Sequence, residues 1–191
     1  MEIKDFEKVL DKIRSTRNAV PIVKLFGGEP TLHSRFDEFV KIALEKFPFV
    51  HIFTNGIIPD KKITKLRQYF SRINFMINMQ TPGFNYNPKI QKLVIKRIKK
   101  LSLESNVVLS INIYFGIQID KIVDLYRKKE LLKHIKYIRI GASNPIANGV
   151  NNYSYNRFKE FGQLTMQLIY QLKKISPSTH IILDCGFVPC M

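Results

Sequence analysis

In the run "KLFGGEPTLHSRF", Lys24 to Phe36, residues with chemical consequences fall together: Gly27, Gly28, Glu29 and Pro30, with Thr31 behind them. Glycines let a backbone approach a ligand and admit positive φ, while a glutamate among exposed backbone groups offers its carboxylate to an ammonium partner. The stretch therefore reads as a loop that holds a small zwitterion. The same residues also make a tight strand-to-helix turn, with Pro30 stiffening it and Ser34 capping the next helix. Spacing alone leaves both readings open. A phosphate cradle is excluded, because neither a Lys-Ser/Thr pair after the last glycine nor three spaced glycines opening a helix is present.

The other reactive residues are few. The chain's two cysteines, Cys185 and Cys190, stand together in "DCGFVPCM", too few for a disulfide framework and consistent with a reducing, cytoplasmic setting. His180 precedes them without the paired spacing of a zinc site. His33, His51 and His134 have no acid, base or nucleophile beside them in sequence, so structural or surface roles are expected.

These residues must be positioned by one domain of ordinary size: 191 residues, 45% hydrophobic and 24% charged, long enough for a proper core. No apolar run approaches the roughly 20 residues of a membrane span, and the N-terminus lacks a signal-peptide pattern. The formal charge of +16, from 31 Lys and Arg against 15 Asp and Glu, attracts nucleic acid or acidic partners. The basic residues are spread over several helices with no single concentrated stripe, as solvated helix faces require. Abundant Lys, Ile and Asn also fit an AT-rich coding bias.

Apolar spacing predicts an opening amphipathic helix on Ile3, Phe6, Val9, Leu10 and Ile13, ending near Ser15. "VPIVKLF" then reads as a strand covered on both faces. Helix and strand alternate from there, with strands at "FVHIFTNG", "INFMINMQ", "NVVLSINIYF", "IKYIRIGAS" and "HIILDCGF". Six strands alternating with six helices argue a parallel α/β sheet, doubly wound or barrel-like, with its function at the carboxyl ends of the strands.

With those elements in place, "LFGGEPTLH" resembles the GGEP motif of radical S-adenosylmethionine (radical SAM) enzymes, in which the segment follows the second strand of a partial barrel and binds the cofactor's methionine amino group. The resemblance implies a partial (β/α) TIM-type barrel over residues 1–184, N-terminally truncated, with 185–191 beginning a cysteine-containing extension. It places Gly27, Gly28, Glu29 and Pro30 at the methionine end, and Thr54 and Asn55 of "FTNG" nearby. Asn78 and Gln80 stand where many members carry Ser-x-Asp, which keeps hydrogen-bonding groups but removes a carboxylate. Asn112, Gly141 and Ser143 occupy later strand ends that face ribose or adenine. On this reading Glu29→Gln weakens cofactor binding and leaves the fold intact.

The chain departs from the family in having no cysteine before Cys185, whereas CxxxCxxC after the first strand supplies the thiolates of a [4Fe-4S] cluster. The opening helix resembles the one that follows that motif, so the sequence reads as beginning downstream of it. Cys185 and Cys190 resemble the start of an auxiliary metal site or serve as structural thiols, and two thiolates do not complete a cluster. The resemblance implies that the complete enzyme reduces S-adenosylmethionine through the cluster and uses the resulting 5'-deoxyadenosyl radical on a peptide or small molecule. This chain alone is expected to be inactive. The rival readings are a cluster-free S-adenosylmethionine or nucleoside binding module and a basic RNA-binding protein.

Overall fold

Six short parallel strands lie side by side in chain order, β1 (Ile22–Leu25), β2 (Phe49–Thr54), β3 (Ile73–Asn78), β4 (Asn106–Ile113), β5 (Tyr137–Ala142) and β6 (His180–Leu183). The computed structural model describes residues 1–16, 22–79, 87–114, 116–142 and 158–183. The strands are joined through α2 (Phe36–Lys46), α3 (Asp60–Leu66), α4 (Pro88–Leu101), α5 (Ile119–Lys128) and α6 (Phe158–Ile175), and α1 (Ile3–Thr16) precedes them. Each helix forms where apolar residues recur every three or four positions. α2, for example, buries Phe36, Phe39, Val40, Ala43 and Leu44. In α1 only Phe6 and Leu10 are buried, and Val9 is exposed.

Sequential strand order has a geometric consequence. Right-handed crossovers between neighbouring parallel strands all land on the same face of the sheet. The core follows: Val23, Val50, Ile52, Ile73, Phe75, Ile77, Val107, Leu109, Ile111, Ile113, Ile138 and Ile140 form one cluster with the helices, and all point to one face by strand alternation. The expectation that β1 is covered on both faces is therefore wrong. Its burial alternates, with Val23 buried and Lys24 exposed. The sheet is an unclosed partial barrel with its helices outside, which decides against double winding.

The opposite, inner face carries layered rows set by register. Lys24, His51, Asn74 and Asn106 align across β1 to β4. Phe53, Met76, Val108, Tyr137 and His180 make the next row, from β2 to β6. Asn78, Ser110 and Arg139 form a third row above it, with Asn112 beside Gly141 at the carboxyl ends.

Candidate functional site

The loop after β1 is held by one carboxylate. Glu29 Oε1 accepts from Thr31 N–H at 3.2 Å, Thr31 Oγ1 at 2.6 Å and Thr54 Oγ1 at 2.9 Å, while Oε2 accepts from Asn55 N–H at 2.7 Å. The first pair caps the 3-10 turn Pro30–Leu32, in which Pro30 supplies a preset φ and Thr31 is fully buried. The second pair fastens that turn to the end of β2. Ser34 does not cap α2, as sequence had suggested; the residue before the helix is Arg35, without a side-chain cap.

The end of β2 is itself built to receive the carboxylate. Thr54 Oγ1 accepts from Gly56 N–H at 3.1 Å, and Asn55 Oδ1 accepts from Ile57 N–H at 2.8 Å. Gly56 sits at φ +84°, and a Cβ there would lie 2.8 Å from Val94 Cγ1 and 3.0 Å from Ile77 Cγ2. Glycine is required at that position by both backbone and packing.

Gly27 and Gly28 behave oppositely. Neither has positive φ, contrary to expectation, and a Cβ built on either meets no atom within 4 Å. Both are exposed. Among the described residues no packing contact requires glycine at either position, and both leave their backbone open to close approach. Among the described residues Glu29 Oε2 has a single donor, which leaves it acceptor capacity for an ammonium group.

Across the inner face, Arg139 donates from Nη1 to Ser110 Oγ at 2.6 Å, and its guanidinium carbon stands 5.8 Å from the Phe53 ring centroid. A Cβ on Gly141 would come within 3.3 Å of both Arg139 Nη2 and Asn112 Oδ1. The missing side chain at Gly141 thus makes room for these two polar groups. Arg139, Ser110 and Phe53 were not singled out from sequence. The signal was present as polar residues at alternate positions of apolar strands, Ser110 and Asn112 in β4 and Arg139 in β5.

Glu29, Thr54 and Asn55 are brought into direct contact, and Asn112 is brought to Gly141. Asn78 ends β3, exposed and in register with Ser110. Gln80, Ser143, Cys185 and Cys190 lie outside the described residues.

The histidines follow structural roles. His51 Nε2 is 2.7 Å from Asn74 Nδ2, which makes it the acceptor. Burial, then the nearby Lys24 ammonium, pushes the His51 pKa down. His33 Nδ1 accepts from Arg35 N–H at 3.2 Å, and its ring meets Phe39 edge-on. His180 stacks on Tyr137.

The implied groups fit this chain unequally. Open space at two glycines, a carboxylate with spare capacity, and inner-face amides fit the amino acid and nucleoside parts of S-adenosylmethionine. A [4Fe-4S] cluster does not fit: the sequence has two cysteines, both near residue 190, and among the described residues no three His, Cys, Asp or Glu side chains gather.

Residues 1–128 match the family model described as the Radical SAM superfamily. The 7,8-dihydro-6-hydroxymethylpterin dimethyltransferase of Methanocaldococcus jannaschii is 28% identical over 115 residues, 54% of this chain and 22% of that protein. Streptococcus suis SuiB bound to S-adenosylmethionine has a similar fold, with TM-score 0.66, 17% identity, and coverage of 95% of this chain and 42% of SuiB. SuiB bound to its precursor peptide SuiA gives TM-score 0.67 at 18% identity, with coverage of 96% and 42%. TYW1 with a lysine-pyruvate adduct bound gives 0.55 at 14% identity, covering 85% of this chain and 59% of TYW1. The chain thus spans less than two thirds of each of these proteins.

Proposed function

The chain belongs to the Radical SAM superfamily, and we propose that its barrel holds S-adenosylmethionine across the carboxyl ends of β1 to β5 for modification of a peptide or small-molecule substrate. The observation that carries this reading is the pairing of two glycines without a packing role with the Glu29 carboxylate that fixes their loop. Solved SuiB with S-adenosylmethionine and with its precursor peptide supports the cofactor and the substrate class.

On this reading Gly27 and Gly28 present their backbone to the methionine end, with Pro30 fixing the turn, and Glu29 Oε2 takes its ammonium. Thr54 and Asn55 lie near the site, Asn78 stands toward the ribose and Asn112 and Gly141 toward the ribose or base, while Gln80 and Ser143 lie outside the described residues. Arg139, held by Ser110 and Phe53, places a fixed cation among those amides, and the row of Phe53, Met76 and Val108 beneath excludes water from the floor. When bound, S-adenosylmethionine supplies the family's reducible sulfonium, and the barrel's task is to hold it beside the substrate and away from solvent. Cluster thiolates would come from outside these 191 residues. Cys185 and Cys190 are assigned to an extension following the 1–184 core.

Titration calorimetry of S-adenosylmethionine against the wild type and Gly28→Val tests the reading. Binding by the first and at least about tenfold weaker binding by the second, with unchanged melting, is expected if the backbone is approached closely. Equal affinities would refute it.

A further inference from the structure

On the outer surface, away from the inner face, α4 carries Lys89, Lys92, Lys96, Arg97, Lys99 and Lys100 and no acidic residue in 14 positions. Four of these lysines, with Lys129 beyond the end of α5, surround a groove of about 780 Å³. Its lining includes the aliphatic side chains of Leu93, Ile95 and Leu125, and among the described residues no carboxylate lines it. Leu93 is 44% exposed. The expectation of no concentrated basic stripe is thus corrected: four lysines of α4 and Lys129 gather on one concave surface.

Among the described residues none of these five lysines is ion-paired. The neighbouring carboxylates are committed elsewhere, Asp60 to Arg97 and Glu130 to Lys133. Lysines three and four residues apart on one helix repel. A bound polyanion relieves that repulsion.

We propose that this groove docks an acidic amphipathic peptide segment, its apolar stripe on Leu93, Ile95 and Leu125 and its carboxylates on the lysines. The choice of peptide over nucleic acid rests on the lining. Single strands are bound by stacking bases on aromatic rings, and bases are read by arginine forks; among the described residues the groove lining has neither. Aliphatic side chains among lysines in one groove match the helix-in-groove mode of peptide recognition. The proposal is independent of the cofactor site, since no groove residue lies on the sheet.

Fluorescence anisotropy tests it with a labelled helical peptide of Leu and Glu, apolar at i, i+3, i+4 and i+7, beside its Lys-for-Glu counterpart and a single-stranded RNA of equal length. The acidic peptide alone is expected to bind, with affinity falling as salt rises. Lys92→Glu with Lys96→Glu should weaken it at least about tenfold, and Leu93→Ser about threefold. Lys8→Glu with Lys12→Glu on α1 makes the same change in net charge and should alter it less than about twofold. Absence of acidic-peptide binding at low salt, or equal loss in the α1 control, overturns the proposal. Tighter binding of the RNA, lost in the α4 variants, also overturns it and identifies a phosphate-backbone surface.

Discussion

Asn55 donates its backbone N–H to Glu29 Oε2 at 2.7 Å across 26 residues of sequence, so the loop after β1 and the end of β2 are set by a single carboxylate. The glutamate that resemblance assigns to the cofactor is first a fastening within the protein. Its second role, if a ligand ammonium binds, draws on capacity left at the same oxygen.

That double use changes what Glu29→Gln should do. The amide replaces one carboxylate oxygen with a donor, which then faces Thr31 and Thr54 or the Asn55 N–H. Urea unfolding should show a fold that persists with a loss of about 1–3 kcal/mol. Combined with Thr54→Val in a double-mutant cycle, it should show coupling of about 1 kcal/mol. Strict additivity would mean the fastening contributes nothing.

The three glycines of the site should separate by phenotype. Gly56→Ala combines positive φ with a 2.8 Å approach to Val94 Cγ1 and should cost about 2–4 kcal/mol in stability. Gly27→Ala and Gly28→Ala enter open space, so stability should change by no more than about 1 kcal/mol while S-adenosylmethionine affinity falls. Thermal melts alongside calorimetry read both quantities.

Acid unfolding should depend on Asp37. Burial pushes this carboxyl up, and the Lys62 and Lys65 ammoniums, each 2.7 Å away, more than reverse it, leaving it at about 2. A depressed carboxyl contributes stability above its unfolded value near 3.9 and loses it as pH falls toward 2. Asp37→Asn should therefore cost about 1–2 kcal/mol at neutral pH, after discounting for the exposed Lys65. The difference from wild type should shrink between pH 4 and about 2. A difference that persists undiminished at the acid end would assign the loss to packing.

The His51–Asn74 pair predicts a titration. Burial and Lys24 depress the imidazole, so the unfolded chain takes up the proton first. Its contribution to stability is present above pH about 6.5 and declines below it. NMR titration should place His51 below the ordinary imidazole value of about 6.5. Asn74→Asp substitutes an anion at 2.7 Å and should move His51 upward; an unmoved His51 would show that the contact does not govern it.

The periodic elements were legible in sequence because their signals are local. α2 buries Phe36, Phe39, Val40, Ala43 and Leu44 at helical spacing, and Phe47 just after its end is buried as well. The covering of β1 was misread because "IVKL" is too short for alternation to show, and Lys24 looked like an exception. Its place in a polar row with His51, Asn74 and Asn106 exists only once register is known. The GGEP loop was visible as a site, but the four donors to Glu29 come partly from 25 and 26 residues away. Arg139 was discoverable from strand alternation. The lysine groove was hidden because it needs α4 and α5 side by side.

The most direct measurement is a titration of the 15N-labelled protein with S-adenosylmethionine, followed by amide chemical shifts. Saturable shifts are expected at Gly27, Gly28, Asn55, Asn112 and Gly141, with the α4 amides unmoved. Absence of saturable shifts at these strand ends, or shifts confined to the outer helices, would contradict the assignment of this inner face to the cofactor.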